Sequence, residues 1–119
     1  MKKIKLTPME SKLRNIKSAL EAEGEFCDKV WYNCCYLVLK EGIKNGEHLL
    51  VDNWKPEYST QDVTKKSIWR GAIKAAKRVE KEYGKKNLGP YSDFDWGMIN
   101  GKLSAIRWVL GDDWDQLDT

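Results

Sequence analysis

The chain has 119 residues, 41% apolar and 33% charged, with 21 Lys+Arg against 18 Asp+Glu for a net charge of +3. That is the size of one domain, 1–119, with enough apolar residues to build a core, which excludes disorder as the whole account. Basic Met1-Lys2-Lys3 is followed by polar Thr7–Lys12, and no stretch approaches the roughly 18 apolar residues of a membrane span, so neither export nor insertion is expected.

Thr7-Pro8-Met9-Glu10 has the form of a capping box with Pro at the first helical position. Met9, Leu13, Ile16 and Leu20 then recur at helical spacing, which predicts a helix over 8–23 ended by Gly24. Phe26–Leu39 is rich in strand formers, yet Lys29, Asn33 and Lys40, and likewise Phe26, Val30 and Cys34, repeat at helical spacing. Helix is preferred over strand, with breaks at Gly42 and Asn45-Gly46. His48–Val51 reads as a short strand, which leaves an α+β alternative: a β-hairpin near 30–54 packed on three helices. Asp52–Tyr58 reads as a loop around Pro56.

Ser59 with Asp62 three residues later is a second capping pattern and predicts a helix over 60–84. Trp69, Ala72, Ile73, Ala76, Val79 and Tyr83 fall on its apolar face. Lys66, Arg70, Lys74, Lys77, Arg78, Lys81 and Lys85 fill the opposite arc. Ser92 with Asp95 opens a third such helix, whose expected core face is Met98, Ile99, Leu103, Ile106, Val109 and Leu110, and Gly111 ends it. Gly97 and Gly101 inside it each cost up to about 1 kcal/mol relative to Ala, so close approach by another backbone, ring or ligand is expected there. A neighbouring helix of the same domain is the preferred occupant. The last residues, with Trp114 and Leu117, are expected to fold back on the domain. The whole predicts a mainly α domain of about four helices.

Charge is segregated along the chain. Residues 60–86 hold nine basic and three acidic side chains, net +6, whereas 87–119 hold two basic and six acidic, net −4. A solvated helix face explains the basic arc most simply. Its neutralisation by the acidic tail and its binding of nucleic-acid phosphates are the two alternatives. No zinc finger, RNA-binding aromatic signature or clear helix-turn-helix accompanies the arc.

Catalytic patterns are sparse. Asp112, Asp113, Asp115 and Asp118, with Asp93 and Asp95, offer oxygen ligands for a metal-assisted hydrolase, but the calcium-loop pattern is absent. Cys27, Cys34, Cys35 and His48 lack zinc spacing, and no nucleophile or phosphate-cradle signature is present. Cys27 and Cys34, two turns apart on a helix, suit buried small residues. Three cysteines, two of them adjacent, fit reduced thiols in the cytoplasm rather than a secreted disulfide framework.

Six Trp is a high count for this length. Trp31 and Trp69 belong to the expected core, Trp96 and Trp108 flank the last apolar stripe, and Trp54 and Trp114 fall in irregular regions. Packing is the ordinary role of each ring, while a partly exposed cluster makes a natural anchor for a partner.

The stretch Asp93–Thr119 carries Trp96-Gly97-Met98, Asn100-Gly101-Lys102-Leu103-Ser104-Ala105, Arg107-Trp108-Val109-Leu110-Gly111-Asp112, Trp114-Asp115 and Leu117-Asp118-Thr119. It resembles the ending of a family of small bacterial and phage-encoded proteins. The resemblance implies a cytoplasmic setting, on a phage or other mobile element, and brings no activity, cofactor or catalytic residue with it. The sequence thus reads as a non-enzymatic binding or regulatory protein without a cofactor, whose protein partner meets Trp96, Gly97, Asn100, Gly101, Lys102, Arg107, Trp108 and Trp114. Nucleic-acid binding through the 60–84 helix is the alternative, and the aspartate hydrolase comes third.

Overall fold

The computed structural model describes residues 13–114. Four helices, α1 (Ile16–Trp31), α2 (Leu37–Lys44), α3 (Lys66–Tyr83) and α4 (Asp93–Val109), carry most of the chain. A five-residue π-helical turn, Tyr32–Tyr36, joins α1 to α2 without a break. Strands β1 (Leu49–Val51) and β2 (Val63–Lys65) form a parallel pair in which Leu49 faces Val63. The fold is therefore mainly α with a small β part.

Several elements depart from the sequence expectation. The Thr7–Glu10 cap lies outside the described residues, but Leu13–Asn15 are not helical, so the first helix does not run over 8–23. It starts at Ile16, where the Asn15 Oδ1 accepts the Ser18 N–H at 2.8 Å. Nor does Gly24 end it: Gly24 is not among the positive-φ glycines, and the helix runs on through Phe26–Trp31. Packing of α4 along this stretch overrides a weak helix former. Residues 30–44 are helical, so the hairpin near 30–54 does not form. The partner of β1 comes instead from Val63-Thr64-Lys65, a stretch opened by two β-branched residues and expected to be helical. That pairing moves the start of the third helix from 60 to Lys66, and the Ser59–Asp62 pattern does not cap it. Ser92 does cap α4 as expected, accepting the Asp95 N–H at 3.1 Å.

The core forms where the π turn, α3 and the 84–90 connection meet. Tyr32, Tyr36, Ala76, Val79 and Leu88 are buried, with Trp31, Trp69, Ala72, Ile73 and Tyr83 packed around them. Tyr36 lies between two indoles, 5.8 Å from Trp31 and 5.5 Å from Trp69, both stacked. The Tyr32 hydroxyl donates to Glu80 at 2.6 Å and the Tyr83 hydroxyl to Asp28 at 3.2 Å, so these two phenols keep partners at the edge of the core. The π turn sets this arrangement. By widening one turn it puts Tyr32 and Tyr36 inside and swings Cys34 and Cys35 out. Cys34 is thus exposed rather than buried. Leu88, read from sequence only as part of a connection, is fully buried. Gly89 allows that connection to pass: its φ is +93°, and a Cβ there would collide with the Asn33 Oδ1.

From this core α1 and α4 project side by side. The radius of gyration is 18.9 Å and the molecule measures 63 × 32 × 26 Å, against about 13–14 Å for a compact chain of this length. Two helices alone cannot enclose an apolar centre, and only Leu103 of this arm is buried.

Candidate functional site

The helix α4 shows two apolar sides. At about 100° per residue, Trp96, Ile99, Leu103, Ile106, Arg107 and Leu110 point one way, toward α1, and each is buried or half-buried. Arg107 fastens this contact, donating to the Glu23 carboxylate at 3.4 Å and to the Cys27 sulfur at 2.9 Å. Lys102 reaches over the Phe26 ring, 5.9 Å from its centroid. Phe94, Gly97, Met98, Gly101, Ala105, Trp108 and Val109 occupy the opposite arc, about 120° wide, and all seven are exposed. No charged side chain lies in that arc. An amphipathic helix of a globular protein turns one apolar stripe to the core, whereas this one carries a second, exposed on its outer side.

The expectation for Gly97 and Gly101 is corrected here. A Cβ at either meets nothing within 4 Å, so no helix among the described residues fills the notch. Met98 and Val109, assigned to the core face from sequence, are 45% and 69% exposed. Of the eight candidate contact residues, Gly97, Gly101 and Trp108 lie on the open face, with Lys102 at its edge. Trp114 joins them by stacking on Trp108, ring centroids 4.9 Å apart at 12°. Trp96, Asn100 and Arg107 turn inward, Asn100 donating to the Trp96 carbonyl at 2.8 Å. Trp96 also lines a cleft of about 550 Å³ between α2 and the start of α4, with Leu37, Val38 and Tyr91. Sequence reasoning missed Phe94, Ala105 and the outward turn of Met98 and Val109. The readable signal was an apolar pattern too wide for one face.

The basic arc stands as read, except that Lys85 sits on the 3-10 turn after α3. All seven cations are exposed. Lys66 pairs with Asp52 at 3.6 Å, and Arg78 with Asp28 at 3.4 Å and Glu82 at 2.9 Å. Among the described residues the other five have no carboxylate within 4 Å. Asp112 and Asp113 do not reach them, so those two acids of the tail do not neutralise the arc. Asp115, Asp118 and Leu117 lie outside the described residues.

The aspartates do not converge. Asp93 and Asp95 begin α4, whereas Asp112 and Asp113 follow its end, about 25 Å away. Among the described residues no three His, Cys, Asp or Glu side chains gather as metal ligands. The His48 ring nitrogen is 2.6 Å from the Thr64 hydroxyl, where it ties the two strands together. Cys34 and Cys35 hold their sulfurs 3.0 Å apart. Partial burial, and then the Cys35 thiol, push the Cys34 thiol up to about 11, away from the reactive thiolate.

Fold and site define a small, mainly helical protein with one apolar and one cationic helix face that no other described residue covers. Comparison with protein-family models, with curated proteins and with solved structures finds no match to the chain. Among the described residues no helix is long and apolar enough to cross a membrane.

Proposed function

We propose that this is a non-enzymatic binding protein of the cytoplasm that engages a protein partner through the outer face of α4. The observation that carries the reading is the seven-residue arc with no charge and, among the described residues, no cover. Phe94, Trp108 and Trp114 are aromatic anchors of the kind that concentrate binding energy, and the glycines let another backbone come close. The two Gly positions cost helix stability and seat no packing neighbour among the described residues. A photo-reactive residue replacing Met98 should form protein adducts in producing cells, and the same group replacing exposed Lys17 should not. Equal labelling at both positions, or none at 98, refutes the reading.

A second reading has its own observation: five cations on the α3 side are exposed and have no carboxylate partner among the described residues. Together they suit the phosphates of a nucleic acid. Reversal of Lys74, Lys77 and Lys81 to Glu should abolish retention on DNA or RNA, and each lost contact should flatten the salt dependence by about one power of salt concentration. Absence of retention of the wild type at about 50 mM salt removes this second role.

A further inference from the structure

We infer that the partner taken by this face is a second copy of the chain, the two α4 helices lying antiparallel with Gly101 on a two-fold axis. The inference rests on the α4 face being a protein-binding surface. An interface between identical copies must be complementary to itself. The side chains along the face have that order: Gly101 lies midway between Phe94 and Trp108, and midway between Gly97 and Ala105. A two-fold axis at Gly101 sets Phe94 of each copy against the other's Trp108 and leaves the centre to Gly97, Gly101 and Ala105. With only hydrogens and methyls at the crossing, the helices approach to the short end of the usual 8–10 Å, so the rings at both ends reach across.

The area is of the right order. Phe94, Trp108 and Trp114 are 74%, 49% and 56% exposed. At about 200 Å² per ring they remove roughly 350 Å² per copy from water. Met98 and Val109 bring the patch near the roughly 600 Å² per partner at the small end of stable interfaces. Charge adds a signature. The antiparallel register brings Asp93 and Asp95 of one copy toward Asp112 and Asp113 of the other, a repulsion that salt screens. Moderate salt should therefore tighten this dimer, the reverse of its effect on nucleic-acid binding.

Sedimentation equilibrium at about 100 µM, well above a micromolar Kd for an interface this small, should give twice the chain mass. Gly101→Leu should halve that mass while circular dichroism stays helical, since a Cβ at 101 meets nothing within the chain. With Cys34 and Cys35 replaced by Ser, Gly101→Cys should cross-link to a covalent dimer under mild oxidation, and Lys17→Cys should not. A single-chain mass for the wild type overturns the inference and leaves the α4 reading to the photo-cross-link at 98. A dimer that survives Gly101→Leu overturns the α4–α4 pairing.

Discussion

The Tyr36 core and the α1–α4 arm draw on the same stock of large apolar side chains and use them in opposite ways. Around Tyr36 two indoles, a second phenol and Leu88 close on one another from three elements, and little of them meets water. Along α4 a comparable set, Phe94, Met98, Trp108 and Val109, stands between 45% and 74% exposed. The difference is one of enclosure. A third element makes an interior, whereas two helices make only a seam with two outer sides. Stability thus resides in the first region, and the second is the one we propose for binding.

Substitutions should separate the two regions by size of effect. Tyr36→Ala removes the ring between Trp31 and Trp69 and should lower stability by about 3–5 kcal/mol in chemical denaturation, with Leu88→Ala close behind at about 2–5 kcal/mol. Gly89→Ala should cost about 1–3 kcal/mol, because positive φ and contact with Asn33 both oppose a side chain there. Tyr32 supplies a pH signature. Burial first, and then its bond to Glu80, raises its phenol above the ordinary value of 10. The unfolded chain then loses this proton before the folded one, so stability is retained below pH 10 and falls as pH rises beyond it. Tyr83, raised by burial and by Asp28, acts in the same direction. Tyr32→Phe should make the alkaline limb shallower in melts between pH 9 and 11. Smallest of all, Met98→Ser should change monomer stability by no more than about 0.5 kcal/mol. A loss of several kcal/mol there, in dilute protein, would erase the contrast between the regions.

How far each region was legible in the sequence follows from the same contrast. The α3 face from Trp69 to Tyr83 reads directly, because one side of that helix is apolar and the other cationic. The α4 limits read equally well from the Ser92 cap and Gly111. The core was harder. A π turn has no composition signal, so the inward Tyr32 and Tyr36 and the outward Cys34 were not separable from plain helical spacing. Parallel pairing of two three-residue strands, 11 residues apart in sequence, is a tertiary event that converts the Ser59–Asp62 pattern from a cap into a turn. On α4 the sequence held the needed information in the form of excess: with apolar residues on both sides, periodicity could not say which side the domain would claim. The inward position of Arg107 depends on Glu23 and Cys27, 84 and 80 residues away in the chain.

The stacked Trp108–Trp114 pair gives the protein an optical handle of its own. Two indoles 4.9 Å apart in nearly parallel planes couple their excited states, so they should produce a split circular-dichroism band distinct from the helical signal. Trp108 belongs to the proposed contact face and Trp114 to the segment just beyond α4. Occupancy of that face can thus be followed in unlabelled protein, as a change in the sign or splitting of one band.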